Sequence, residues 1–140
     1  MDRLLVDTNV LLDVIGRREP HFKDSVRIWE LAECRQVEAF VAAISFNNVY
    51  YIARRLANHK TALTAVENIR RIFSTASVDE STIDSALASA VCDFEDAIQH
   101  DCAKAIGARW LLTRNVRDYP STGKPTAITP SEYLAKAKRK

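Results

Sequence analysis

The sequence predicts an α/β three-layer sandwich, with helices on both faces of a mostly parallel central sheet. Three observations lead there. Short continuous apolar runs such as Leu4-Leu5-Val6 and Trp110-Leu111-Leu112 suit strands buried on both faces. Longer amphipathic stretches with helical spacing lie between the strand candidates. The resulting alternation of strand and helices favours parallel strands joined by helical crossovers.

Taken in order, Leu4-Leu5-Val6 ends abruptly at Asp7, and Val10, Leu11, Val14 and Ile15 then recur at helical spacing until Gly16. A second helix is expected from about Lys23 to Cys34, with Phe22, Val26, Trp29 and Leu31 facing inward. Val37 to Ala43 is the second strand. Ser45 can cap the helix that follows, whose apolar stripe is Val49, Ile52, Ala53 and Leu56. Thr61 to Phe73 forms another amphipathic helix through Leu63, Val66, Ile69 and Ile72, and Thr75 to Val78 is a short strand. Glu80 to Ala90 reads as a short helix containing Ile83, Ala86 and Leu87. Asp93 can cap the next one, whose stripe of Ala97, Ile98, Cys102, Ala105 and Ile106 ends at Gly107. Trp110 to Leu112 is a strand ending at Thr113, and Ala127-Ile128 is the last. Thr129, Pro130 and Glu132 have cap, first-turn and capping-box spacing for a terminal helix.

Length and composition fit one domain over residues 1–140. At 15.8 kDa the chain can bury one core. A 47% hydrophobic and 27% charged composition is that of an ordinary globular protein. Three glycines and four prolines argue against disorder, collagen-like repeats or a loop-rich scaffold. The net charge of +2 does not by itself announce a nucleic-acid partner. Basic residues do cluster at Arg17–Arg18, Arg54–Arg55, Arg70–Arg71 and the tail Lys136, Lys138, Arg139, Lys140. These read first as solvated helix faces and second as phosphate contacts. Cys34, Cys92 and Cys102 are odd in number with no C-x-x-C spacing, so they read as small buried apolar residues in a reducing compartment. With no signal-peptide core and no 18-residue apolar run, the expectation is a cytoplasmic protein with no membrane partner.

Several polar residues stand where a strand has just ended or a helix is beginning. Asp7 follows the first strand, and Asn48 is expected in the first turn after the second. Asp96 falls in the first turn of its helix, while Asn115 and Asp118 follow the Trp110–Thr113 strand. Ligand sites in open α/β sheets form outside the carboxyl ends of the strands, so these residues can converge. Carboxylates forced together repel unless a cation neutralises them, and hard oxygen donors favour magnesium or manganese. Such ions serve phosphodiester hydrolysis.

Each residue also has a plainer reading. Asp7 can simply cap the following helix, and Asp93 and Asp96 have cap and third-position spacing beside the helix dipole. Glu95 reads as a solvated helix residue, Asp118 before Tyr119-Pro120 as a turn former, and Asp13 as supporting the site or merely exposed.

The segments themselves resemble a known family. Leu4-Leu5-Val6-Asp7-Thr8-Asn9-Val10-Leu11-Leu12-Asp13 resembles the opening motif of PIN-domain proteins, which include the VapC-type toxin ribonucleases. Ser45-Phe46-Asn47-Asn48-Val49-Tyr50-Tyr51-Ile52, Asp93-Phe94-Glu95-Asp96-Ala97 and Leu112-Thr113-Arg114-Asn115-Val116-Arg117-Asp118-Tyr119 resemble the second, third and fourth motifs, in order across nearly the whole chain. The resemblance implies a magnesium- or manganese-dependent endoribonuclease acting on RNA. Asp7 would be the central metal ligand, with Asp96, Asp118 and Asn115 beside it. Thr8 and Asn9 would hold the Asp7 loop, and Thr113 would support it from below. An antitoxin protein and a homodimer are the partners implied.

One departure stands out. PIN nucleases commonly carry a glutamate where this chain has Asn48, a pattern that resembles an Asn-bearing branch of the family. An amide oxygen can coordinate a metal but brings no charge. That leaves open a second reading, a PIN-fold RNA- or protein-binding module with weakened or absent catalysis. A haloacid-dehalogenase-like phosphatase fits poorly, because the second aspartate of its nucleophile loop is Asn9 here. A receiver-like domain would want its aspartate after the third strand.

Overall fold

The computed structural model describes residues 1–138, so Arg139 and Lys140 of the basic tail lie outside the described residues. The chain runs β1 (Arg3–Val6), α1 (Thr8–Ile15), α2 (Phe22–Glu33), β2 (Glu38–Ala42), α3 (Ala43–Leu56), α4 (His59–Ile72), β3 (Ser74–Ala76), α5 (Glu80–Leu87), α6 (Phe94–Ala105), β4 (Trp110–Leu112), β5 (Thr126–Ile128) and α7 (Pro130–Ala137). A 3-10 turn, Val116–Asp118, lies between β4 and β5.

The five strands form one sheet in the order β3-β2-β1-β4-β5, and every pairing is parallel. β1 is the central strand, with Leu5 opposite Phe40 on one side and Leu111 on the other. Successive residues of a strand point to opposite faces. Leu4 and Val6 therefore enter a core with residues of α1, α2, α3, α4 and α7, while Leu5 enters a second core with residues of α5 and α6. These are the three layers the apolar runs predicted. Both faces of β1 are buried, which is why its sequence is continuously apolar rather than alternating.

The helices depart from their sequence-derived faces where small residues do the packing. The buried line of α2 is Ser25, Ile28 and Ala32, and Trp29 and Leu31 only flank that core. In α4 the inward residues are Ala62, Ala65 and Ile69, and Leu63 faces solvent. In α5 they are Thr82 and Ala86, while Ile83 and Leu87 are exposed. Leu56 at the end of α3 is likewise exposed. Short side chains let helices approach closely, so residue size misleads about which face is buried.

Two other expectations are corrected. Ser45 does not cap α3. The helix starts at Ala43, and Ser45 is buried in its first turn. Of the three cysteines only Cys102 is buried; Cys34 and Cys92 are exposed beyond the ends of the packed elements. Among the described residues, no helix is long and apolar enough to cross a membrane.

Candidate active site

The register of the sheet creates the site. Val6 stands opposite Leu112, so the next residues, Asp7 and Thr113, emerge side by side at the carboxyl ends of adjacent strands. The Asp7 N–H still donates to the Leu112 carbonyl at 2.9 Å, and the Thr113 N–H to Ile128 at 3.0 Å. Both residues are thereby fixed by the ladder before their side chains do anything.

Asp7 is only 2% exposed, yet its carboxylate is held from several directions. Oδ1 accepts from the Asn9 N–H at 3.0 Å, capping α1, and from Gln99 Nε2 at 3.5 Å. Oδ2 accepts from Thr113 Oγ1 at 2.9 Å and from the Tyr119 hydroxyl at 3.4 Å. The cap reading of Asp7 is therefore correct as geometry, without exhausting what the carboxylate does. Gln99, fully buried on α6, accepts the Thr8 N–H at 3.1 Å through Oε1, and Thr8 Oγ1 lies 2.8 Å from Ser45 Oγ. Thr8 thus ties α1 to α3 and α6. It steadies the Asp7 loop through Gln99 rather than by touching the carboxylate.

An open cleft of about 480 Å³ lies above this anchor. Asp7, Thr8 and Asn9 form its floor, and Asn48 reaches it from α3. Asp93, Glu95 and Asp96 line it from the start of α6, and Asn115 and Asp118 from the segment after β4. Eight of the nine residues singled out in the sequence share this cleft, and the ninth, Thr113, is buried beneath it. Asn48 lies in the second turn of α3, not the first, because that helix starts earlier than Ser45 suggested. Glu95 is only partly exposed and faces the cleft, so it is not the solvated residue expected. Asp93 accepts the Asp96 N–H at 2.9 Å, the cap predicted for it. Asp118 ends the 3-10 turn, its N–H bonded to the Asn115 carbonyl at 3.0 Å.

The electrostatics reflect like charges gathered with few counterions. Burial pushes the Asp96 carboxyl up to about 6, and the negative charges of Asp7, Asp93 and Asp118 add to the shift. The Tyr119 hydroxyl facing Asp96 pulls the other way by favouring the charged form. Tyr119 is itself held far above its ordinary value by burial and by Asp7 and Asp96, so it stays a hydrogen-bond donor.

Asp13, one turn beyond Asn9, is completely buried rather than exposed. Arg114 Nε lies 3.1 Å from its Oδ2, an ion pair that lacks hydrogen-bond alignment. Burial raises the Asp13 carboxyl above its usual value even against the lowering effect of Arg114.

Gln99, Tyr119 and the Asp13–Arg114 pair were not assigned roles from sequence. The only signals were a lone amide inside an apolar helix stripe and a tyrosine next to a motif aspartate.

The donors facing the cleft are carboxylate and amide oxygens, with no histidine or cysteine among them. Among the described residues, no group of three or more His, Cys, Asp or Glu side chains could hold a metal on its own. That donor set fits magnesium, which keeps several waters and takes one or two carboxylates.

Comparison with known proteins agrees with this architecture. The PIN domain family profile matches residues 3–117. Ribonuclease VapC1 of Aquifex aeolicus (strain VF5) is 21% identical over 123 residues, covering 84% of this chain and 85% of that protein. The solved toxin-antitoxin complex from Klebsiella pneumoniae contains a chain that superposes with a TM-score of 0.68 at 21% identity, over 91% of this chain and 97% of that one. VapBC-1 from nontypeable Haemophilus influenzae gives 0.69 at 14% identity, over 92% and 98%. With the family profile spanning most of the chain and the fold reproduced by these structures, the protein belongs to the PIN domain family.

Proposed function

We propose that this chain is a divalent-metal-dependent endoribonuclease that hydrolyses RNA phosphodiester bonds, and that it is the toxin of a toxin–antitoxin pair. One observation carries the reading: a buried, multiply anchored Asp7 faces Asp96 and Asp118 across an open cleft, and clustered negative charge helps to raise Asp96 to about 6. Carboxylates left in mutual repulsion are a cation site in waiting. The names of the Aquifex ribonuclease and of the toxin–antitoxin structures support the same assignment.

In this reading Asp7 and Asp96 are the principal metal ligands, and Asp118 with Asn115 approaches from the other lip. A bound magnesium or manganese ion supplies an activated water and neutralises charge on the phosphate under attack. The chain's own residues hold the geometry. Thr113 and Gln99 fix the two Asp7 oxygens, Asn9 and Asp93 hold the helix starts, and Thr8 locks α1 to α6. Asn48 offers a neutral oxygen where a carboxylate would bind more tightly. The partners are RNA, an antitoxin protein covering the cleft and a second copy of the chain, and the setting is one cytoplasmic domain.

The test is manganese-supplemented cleavage of total RNA by the wild type and by Asp7→Asn, with mapping of the cut sites. Activity in the wild type and a loss of about a thousandfold in the variant is the expected result, about 4 kcal/mol of barrier. Cleavage that survives Asp7→Asn removes the assigned centre.

Asn48 favours one alternative, a PIN fold that binds RNA or protein without cutting. Asn48→Glu separates the two. It should tighten manganese binding about tenfold and raise the rate if the native site is active but weakened. If only the variant cuts RNA, the wild-type chain is a binding module.

A further inference from the structure

We propose that a stripe of α3 leading out of the cleft, with Asn48 and Tyr51 at its lining and Arg55 one turn beyond, is a binding track for single-stranded RNA, with Tyr51 as a stacking platform for one unpaired base. The inference rests on the ribonuclease reading and specifies the form of its substrate.

Residues three and four apart lie on one side of a helix, so Asn48, Tyr51 and Arg55 follow one another outward from the cleft. Tyr51 lines that cleft and is nevertheless 56% exposed, unlike the other tyrosines that are buried or half-buried. Its position is braced from behind. The Tyr50 ring meets it edge-on at 5.7 Å, and the Tyr50 hydroxyl lies 2.7 Å from His59 Nδ1 at the start of α4. Arg55 is exposed in the last turn of α3, and among the described residues no carboxylate pairs with it.

Charge decides what such a track is for. The cleft floor is acidic and repels a polyanion, so affinity for RNA has to come from beside it. An aromatic face followed by an arginine supplies that affinity through stacking and phosphate contact, the combination used on single strands. A base can lie on Tyr51 only when it has left its own stack, which a continuous duplex does not allow. Arg55 lacks a carboxylate partner among the described residues, and an uncompensated cation next to an exposed ring favours a polyanion as the occupant.

The experiment measures binding by fluorescence anisotropy, with EDTA present so that no cleavage occurs. The probes are a fluorescein-labelled RNA of about a dozen nucleotides, single-stranded and annealed to its complement. Tyr51→Ala should weaken single-strand binding about tenfold, and Tyr51→Phe should stay within about twofold because it keeps the ring. Duplex binding should be the same in all three proteins. Arg55→Ala should flatten the salt dependence of single-strand binding by roughly 0.7, one phosphate's worth. Unchanged affinity in Tyr51→Ala alongside clear wild-type RNA binding overturns the track and leaves the ribonuclease reading standing. Absence of wild-type binding to either RNA overturns the track, while the ribonuclease reading is decided separately by the manganese-supplemented cleavage assay. If Tyr51→Ala also lowers the melting temperature or manganese affinity, the residue is structural. If it alters only the oligomeric state in sedimentation, Tyr51 faces protein. Either result rejects the proposal.

Discussion

The two ends of the sheet each carry a polar cleft, and they handle charge in opposite ways. At the amino ends of the strands a cleft of about 840 Å³ is bordered by Arg3, Arg35, Arg70 and Arg71 together with Glu33 and Glu38. Opposite charges meet there. Arg3 Nε lies 2.7 Å from Glu38 and its guanidinium donates to the Ile106 carbonyl, with both side chains about half exposed. At the carboxyl ends the cleft is little more than half that size, but carboxylates face carboxylates over buried partners. The larger cavity mixes both signs in contact with water, with Arg3 paired to Glu38 beside further arginines; the smaller gathers charge of one sign, carboxylates alone, supported by the core. Volume is the poorer guide to where chemistry belongs.

Substitutions at the two ends should therefore differ sharply in cost. Gln99→Ala should be the most damaging to stability, at about 3 kcal/mol in urea unfolding. It leaves the buried Thr8 N–H without its acceptor and opens a cavity. Loss of manganese affinity should accompany it, since Asp7 loses one of its donors.

Arg114→Ala should cost less, about 2 kcal/mol at pH 7.5, because it strips the buried Asp13 of its counter-charge. The Asp13 carboxyl is already raised in the folded protein, and removing Arg114 raises it further. A raised carboxyl favours folding at low pH and loses that contribution as pH climbs through its folded value. The penalty of the substitution should accordingly fade on acidification, and a penalty independent of pH would count against an electrostatic origin.

Asp96→Asn should go the other way. The Asp96 carboxyl titrates near 6 in the fold against 3.8 ordinarily, so its contribution is fully favourable below about 3.8 and is lost as pH rises through 6. At pH 8 the metal-free variant should melt a few degrees above wild type, about 1 kcal/mol, and below pH 4 the difference should vanish. Manganese should raise the melting temperature of the wild type and not of the variant.

The smallest effect belongs to the other end of the sheet. Glu38→Gln should change stability by less than about 0.5 kcal/mol and leave manganese binding untouched. A large effect there would erase the contrast between the ends.

The legible part of this molecule was whatever depends on position along a strand or at a helix start. β1 announces itself because burial on both faces makes it continuously apolar, and Asp7, Asp93, Asn115 and Thr129 stand at helix starts, where caps and sites share the same residue types. What stayed hidden depends on contacts distant in sequence. Gln99 sits in mid-helix, where an amide inside an apolar stripe hints at burial but does not name Thr8 as its partner. Ser45 reads as a cap because serine favours caps, but its hydroxyl is engaged by Thr8 across the fold. Leu63 and Leu56 read as inward because they are large, whereas Ala65 and Ala53 near them do the packing.

The central place of β1 has a consequence in time. Asp7 is made before the residues that hold its oxygens: Gln99, Thr113 and Tyr119 follow 92, 106 and 112 residues later. Contacts of such span close late in folding. A nascent chain therefore carries this carboxylate well before it has the means to aim it, and the cleft takes shape only once α6 and the segment after β4 have been made.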